Sequence, residues 1–233
     1  MSRNGTNKLD GQRFPRVVPA GDSAILIELG SEVDPEISSR VFALTDLMRD
    51  AGLNSGLEIL PTYRSVLVYY DPLVSSYAEM LDAVNGVIER LAEPANVKSS
   101  LKIVEIPVVY GGEDGPDLPF VAEHAGMTED SVIQLHSETD YRVYMLGFSP
   151  GFPYLGGLDE RIAAPRLKTP RVSVPAGSVG IAELQTGVYP NAGPGGWRII
   201  GRTSLTLFDV NSSTPSLITP ATEVRFIPVD HHD

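Results

Sequence analysis

The chain of 233 residues has no cysteine, which removes disulfides, thiolate metal ligands and thiol nucleophiles together. Positive charge is scarce: 18 Lys and Arg stand against 30 Asp and Glu, for a formal charge of −12. Nucleic-acid backbones and anionic lipid both call for a basic surface, so neither is an expected partner. No apolar run approaches the roughly 20 residues of a membrane span. The opening Met-Ser-Arg-Asn-Gly-Thr-Asn-Lys has no apolar secretion-signal core, and the expected location is cytoplasmic. No Gly-Lys dipeptide occurs, so a Walker-type phosphate loop is excluded. Of four histidines, His231 and His232 are near-terminal. His124 and His136 fall in separate predicted helices without matching ligands, so they read as surface or partly packed imidazoles and no metal is expected.

What is present is a two-part pattern. Ala24 to Leu29 reads as a strand, followed by Asp34-Pro35 as a helix cap and first-turn proline. Ile37, Val41, Leu44, Leu47 and Met48 then recur at helical spacing, with Gly52 at the C-terminal cap. Leu57–Leu60 and Ser65–Tyr70 read as strands. A second helical stripe runs from Tyr77 to Leu91, and Lys102–Val109 is strand-like again. This β-α-β-β-α-β order is the ferredoxin-like split unit, with its last strand equally able to belong to the next domain. Glu93–Ser100 has linker chemistry. The expected domains are therefore residues 1–98, of which 1–13 form a mobile arm, and residues 99–233. Beyond two short helices, Pro119–Ala125 and Thr128–His136, the chain is strands and turns, as in a β-barrel.

The segment from Gly147 to Gly201 is dense in Gly and Pro yet carries Phe148, Phe152, Tyr154, Tyr189 and Trp197. A linker would leave these rings in water, so the segment reads as turns and short strands shaping a surface for a ligand or a partner. Gly147-Phe-Ser-Pro-Gly151 has the letters of a nucleophile elbow. Pro150, however, has no N–H to give an oxyanion, and Ser149 is rejected as a nucleophile. Arg161, Arg166, Lys168 and Arg171 cluster between prolines and suit a carboxylate or phosphate, or a solvated loop. Pro175 to Gly180, including Gly177 and Ser178, offers a run of N–H groups as an oxyanion nest, or a plain hairpin turn. Gln185, Thr186 and Tyr189 are neutral groups suited to an amide or lactam, or to barrel-corner structure.

Several of these motifs in register resemble one family. They are Ile106-Pro-Val-Val-Tyr-Gly-Gly112, Gly115-Pro-Asp-Leu118, Leu146 to Leu155, Pro165-Arg166 to Pro170-Arg171, Val174 to Ile181, Gln185 to Pro190 and Pro194-Gly-Gly-Trp197. The sequence is similar to the family of the 5-oxoprolinase B subunit, KipI and allophanate hydrolase subunit 1. The resemblance implies an α+β fold, a small ferredoxin-like α/β domain followed by a cyclophilin-like β-barrel. It implies the B subunit of an ATP-dependent complex that opens 5-oxoproline to glutamate. Its partners are the C subunit, built of related barrels, and the A subunit, of LamB/YcsF type, and the chain alone is expected to be inactive. ATP is then a requirement of the complex, with its site open to another subunit, and catalytic residues are not assigned. On that reading Arg166 or Arg171 holds the substrate carboxylate, Gln185, Thr186 and Tyr189 meet the lactam, and the Gly177–Gly180 amides meet developing oxyanion charge. Phe148, Phe152, Tyr154 and Trp197 offer a partner surface. A KipI-like inhibitor of a sensor histidine kinase, and a carboxyltransferase subunit related to urea carboxylase, are the alternatives. Two departures from the family pattern stand out: Glu183, with Ala182, replaces the usual Gly-Gly, and Gly193 precedes Pro194 where Ser or Thr is usual.

Overall fold

The computed structural model describes residues 13–53, 58–91 and 102–231. The chain divides into two compact units, Met1–Ser100 and Leu101–Asp233. The expected mobile arm (apart from Arg13), Leu57, the linker segment Glu93–Ser100 and His232 lie outside the described residues.

The first unit consists of β1 (Arg16–Pro19), β2 (Ala24–Glu28), α1 (Pro35–Asp50), β3 (Ile59–Pro61), β4 (Ser65–Tyr69) and α2 (Tyr77–Leu91). Asp34 starts α1 by accepting the N–H groups of Glu36 (2.8 Å) and Ile37 (3.0 Å) on its carboxylate, with Pro35 at the first helical position. Gly52, at φ +70°, ends it. There the N–H groups of Gly52 and Leu53 return to the carbonyls of Arg49 and Met48. Ser76 and Glu79 cap α2 reciprocally: the Ser76 N–H donates to Glu79 (2.8 Å) and the Glu79 N–H to the Ser76 hydroxyl (3.3 Å). The stripes Val41, Leu44, Met48 and Val84, Val87 are buried, as are Ile25, Ile27, Val66 and Val68 of the sheet.

That sheet is antiparallel, in the order β1-β2-β4-β3. The β-α-β-β-α succession of the split unit is present, with β4 lying between β2 and β3. The outer place beside β2 belongs to β1, a strand absent from the sequence reading. The expected closing strand near Lys102 enters the second unit instead. β1 reaches β2 through a short turn closed by the Ala20 N–H to the Ala24 carbonyl (2.8 Å), a local closure with little loop entropy to lose.

The second unit holds β5 (Lys102–Tyr110), α3 (Leu118–Ala125), α4 (Glu129–Ser137), β6 (Asp140–Leu146), β7 (Pro153–Gly156), β8 (Arg171–Val174), β9 (Ser178–Ala182), β10 (Gln185–Val188), β11 (Gly193–Gly195), β12 (Arg198–Arg202) and β13 (Thr222–Pro228). Seven strands close a barrel in the order β10-β7-β6-β13-β5-β12-β9, and β8 with β11 makes a separate ribbon. β13 runs parallel to β5 from Thr222↔Lys102 to Pro228↔Val108, a pairing between the two ends of the unit. Ile106, Val108, Tyr141, Val143, Leu155, Val179, Ile181, Val188, Ile200, Val224 and Phe226 fill the core together with Leu118 and Val121 of α3 and Val132 of α4. Alternate residues of β13 are buried (Thr222, Val224, Phe226) and half-buried (Glu223, Arg225), the period-two signature of a strand with one face inward.

Candidate functional site

Beside the main core lies a second one, made of Phe152, Val174, Ala182, Tyr189, Trp197 and Ile199, with Tyr154 packed against it. Phe152 is its hub, with ring centroids 5.1 Å from Tyr154, 5.2 Å from Tyr189 and 5.4 Å from Trp197, all edge-to-face. Phe152, Tyr189 and Trp197 are 1%, 2% and 5% exposed. The cluster is thus a packed floor, which corrects the reading of Phe152 and Trp197 as surface residues. Glycines let the chain approach this closely. A Cβ at Gly195 would stand 2.4 Å from the Tyr189 hydroxyl, and one at Gly187 about equally near the Pro153 carbonyl, Trp197 and Phe152 (2.9–3.1 Å). Burial pushes the Tyr189 phenol up, opposed by a backbone hydrogen bond at Trp197 and by the charges of Arg166 and Arg171. Tyr189 therefore stays a neutral phenol locked in the floor.

Phe148 departs from the other rings. It is 64% exposed, at φ +67°, at the centre of a three-residue turn closed by the Ser149 N–H to the Gly147 carbonyl (2.8 Å). This positive-φ γ-turn is rare and strained for any L-residue. The loop around it is held by the Gly147 N–H to the Phe152 carbonyl (3.1 Å) and the Phe152 N–H to the Ser149 carbonyl (3.0 Å). Its ring centroid lies 5.5 Å from that of Phe152 and 6.3 Å from that of Tyr189, both in edge-to-face geometry. The expectation that the aromatic residues escape water fails at this residue.

The basic loop resolves into two kinds of residue. Arg171 is held by Asp117: Nη2 donates to Oδ1 at 3.0 Å and Nη1 pairs with Oδ2 at 2.9 Å. Asp117, 6% exposed, also accepts the Ile199 N–H at 2.7 Å and faces Arg198 Nη1 at 3.7 Å. Arg198 in turn donates to the Pro165 carbonyl (3.1 Å) and lies 3.5 Å over the Phe120 ring. Arg171 is therefore a structural clamp tying the loop to α3 and β12, rather than a guanidinium free for substrate. Arg166 is different. It is exposed, lies 5.7 Å over the Trp197 ring, and makes no ion pair among the described residues. Lys168, also exposed, makes none either. The Leu167 N–H to the Gly196 carbonyl (2.8 Å) holds this loop against the Trp197 segment.

The proposed nest is already in use. The Gly177 N–H donates to the Tyr189 carbonyl (2.7 Å) and the Ser178 N–H to the Pro175 carbonyl (3.3 Å), while Val179 and Gly180 belong to β9. The hairpin-turn alternative holds. Thr186 is fully buried and faces the barrel interior, so it cannot meet a ligand at the surface. Gln185 is half-buried at the start of β10, beside Ala182 and Gly156.

The sequence reading of His136 is also corrected: it is fully buried, stacked on Phe226 at 4.6 Å. Its Nδ1 lies 2.7 Å from the Tyr110 hydroxyl and its Nε2 2.9 Å from Thr186 Oγ1. Because Thr186 Oγ1 donates to the Gly180 carbonyl (3.0 Å), it accepts from Nε2–H, and Nδ1 accepts from Tyr110. Burial lowers the imidazole to about 3, so it is neutral. Neither Asp117 nor His136 is signalled as a structural hub by local sequence, although Asp117 stands inside the Gly115-Pro-Asp-Leu118 motif. Among the described residues no group of three His, Asp or Glu is placed to hold a metal ion, and no helix is long and apolar enough to cross a membrane. A groove of about 570 Å³ lined by Thr128, Ser131, Gln134, Glu138 and Arg161 contains none of the candidate residues apart from Arg161, which Asp159 holds at 2.5 Å.

Glu183 sits at the tip of the β9–β10 hairpin at φ +53°, exposed, its N–H donating to the Ala164 carbonyl (2.8 Å). Left-handed backbone costs an L-residue about 1–2 kcal/mol, a cost that glycine at this place would avoid. Glu183→Gly is expected to stabilise the unit by about 1 kcal/mol, raising Tm by roughly 2–4 °C in thermal unfolding.

Residues 15–218 match the family model described as "Carboxyltransferase domain, subdomain C and D". The chain is 43% identical to a Bacillus subtilis protein named as the B subunit of 5-oxoprolinase, over 91% of this chain and 92% of that one. It is likewise 43% identical to its Escherichia coli O157:H7 namesake, over 89% and 93%. Among solved structures, TTHA0988 superposes with a TM-score of 0.76 at 34% identity over 89% of this chain, which spans only 40% of that protein's length. The chain belongs to the family of 5-oxoprolinase B subunits, within the carboxyltransferase domain of subdomains C and D.

Proposed function

We propose that this chain is the B subunit of an ATP-dependent 5-oxoprolinase, which acts with the C subunit, of related barrels, and a LamB/YcsF-type A subunit to open 5-oxoproline to glutamate. The observation that carries the reading is 43% identity, over about nine-tenths of both chains, to proteins named as the B subunit of 5-oxoprolinase. The geometry adds a condition. The aromatic floor is packed and the nest amides are bonded within the chain, so the substrate cavity is completed by another subunit.

The chemistry to be achieved is cleavage of the lactam C–N bond, with a water oxygen joining the carbonyl carbon and the ring nitrogen taking a proton. Amide resonance makes that carbon a poor electrophile, and coupling to ATP supplies the activation. The Gly177–Gly180 turn does not fit a triphosphate. The Gly177 and Ser178 N–H groups are committed, and no Gly-Lys loop exists. On this proposal the nucleotide is left to another kind of site or to another subunit of the complex. What this chain brings is Arg166, a cation fixed over Trp197 and free to pair with the substrate carboxylate, with Gln185 the remaining candidate toward the lactam. In the assembled complex Arg166→Ala is expected to raise KM for 5-oxoproline about 10- to 100-fold with little change in kcat, the loss of one charge-assisted contact. An unchanged KM removes Arg166 from the site.

The description of the family model favours a second reading, a carboxyltransferase subunit. That reading requires carboxyl transfer from a biotin-bearing partner, measurable as bicarbonate-dependent product formation, and no glutamate.

A further inference from the structure

We propose that Arg198 is the positioning residue for Arg166: it fixes the backbone just before Arg166 and so sets where that guanidinium meets the substrate carboxylate. The inference rests on the reading of Arg166 as the carboxylate-binding residue of a 5-oxoprolinase, and adds the residue on which its placement depends.

Residues 165–167 of the basic loop are matched, one by one and in the opposite chain direction, to residues 196–198 at the start of β12. The Pro165 carbonyl accepts from Arg198 Nε at 3.1 Å. Arg166 lies 5.7 Å over the Trp197 ring, and the Leu167 N–H donates to the Gly196 carbonyl at 2.8 Å. The Leu167 hold is backbone to backbone and does not depend on side chains. Pro165 has no N–H, so the backbone of that residue can be held only at its carbonyl. Arg198 is the side chain that holds it.

Arg198 is itself fixed on every side. Its guanidinium stands 3.5 Å from the centre of the Phe120 ring. Its Nη1 is 3.7 Å from Asp117 Oδ1, and its side chain is 15% exposed. Its backbone pairs with Ile181 of β9, and Asp117 binds the N–H of the next residue, Ile199. The charge of Arg198 is thus balanced inside the unit, and it acts on Arg166 through the chain rather than on substrate. Three features of one planar group are used together: Nε–H on a carbonyl, Nη1 toward a carboxylate, and a flat face on a ring. A lysine ammonium, a compact point charge, cannot supply all three.

The test is a two-residue cycle with two readouts. In the assembled complex Arg198→Lys keeps the charge and loses the fork. It is expected to raise KM for 5-oxoproline about 5- to 10-fold with kcat little changed, as for a displaced contact. Arg166→Ala with Arg198→Lys is expected to match Arg166→Ala alone, because a residue acting through Arg166 adds nothing once Arg166 is gone. The second readout uses the chain by itself. Trp197 is its only tryptophan, so the emission reports the cation above that ring. Arg198→Lys is expected to shift the emission, and to shift it much less when residue 166 is already Ala. Where Arg198→Lys does not fold, Phe120→Leu removes the ring against the guanidinium and goes through the same cycle. An unchanged KM in Arg198→Lys, or KM increases that multiply in the double variant, overturns the positioning role. So does an emission shift of equal size with and without Arg166. Wild-type KM in Arg166→Ala overturns the proposal by removing Arg166 from the site. No glutamate from the wild-type complex overturns the 5-oxoprolinase reading and the substrate half of the proposal, while the emission cycle still decides whether Arg198 holds Arg166.

Discussion

Asp117→Ala is expected to destabilise the second unit by about 3 kcal/mol, measured as a lower urea midpoint with an unchanged slope. One carboxylate receives both Arg171 nitrogens and the Ile199 N–H, and Arg198 faces it. Its removal orphans a buried N–H and leaves two guanidinium groups without their counter-charge. Breaking a buried pair costs about 3–5 kcal/mol. The lower end applies because the Arg171 side chain is 32% exposed and can turn to water. Asp117→Asn, which keeps an acceptor for Ile199, is expected to lose clearly less. Arg171→Ala should share most of the Asp117→Ala loss, and in a double-mutant cycle the two should be strongly non-additive. Additive losses would show that the clamp is not a single unit. Because the clamp fixes the loop that carries Arg166, Asp117→Ala is also expected to raise KM in the complex.

The second large effect is on acid stability. His136 titrates at about 3 in the folded chain and near 6.5 when unfolded. Between those values the unfolded state binds a proton that the folded state does not. The His136 contribution is therefore fully present above about pH 6.5, declines as pH falls, and is exhausted near pH 3. Each pH unit in that window costs about 1.4 kcal/mol, so roughly 2 kcal/mol is lost by about pH 5, and the whole span is on the order of 4–5 kcal/mol. Urea unfolding at about pH 7.5 and pH 5 measures this directly. His136→Gln is expected to be less stable at neutral pH, because it breaks the chain from Tyr110 through His136 and Thr186 to Gly180, and to show a much flatter pH dependence over that range. An equally steep profile in the variant would assign the acid sensitivity to other groups.

What was legible in the sequence was local. Asp34-Pro35 and Gly52 delimit α1, Thr128 caps α4 through the Ser131 N–H (3.2 Å), and periodic apolar residues give both long helices. The Gly and Pro density after Gly147 marks a shaped surface, and its rings do cluster. What was not legible depends on partners far along the chain. Arg171 reads as a ligand for an anion until Asp117, 54 residues earlier, is found beside it. Thr186 reads as a group for a lactam or as barrel-corner structure until His136, 50 residues away, meets it inside the barrel. The Gly177 amide looks free until Tyr189 folds back on it. The strand at Lys102 finds its partner at Thr222, across the whole second unit. Glu183 was visible as a departure from a family pattern, and the backbone angle supplies its physical meaning. Phe148 is the converse case: no local signal separates it from its neighbouring rings, and only its exposure and positive φ do.

The most direct measurement is ATP-dependent release of glutamate from 5-oxoproline by this chain alone, and then by this chain combined with the A and C subunits. The account predicts no glutamate from the chain alone, because the Gly177 and Ser178 amides are bonded within the chain and, on this proposal, the substrate cavity is completed by another subunit. It predicts glutamate, with ATP consumed, from the three-component mixture, and loss of that activity when this chain is omitted. Full activity without this chain, or no glutamate from a mixture whose components demonstrably assemble, would contradict it.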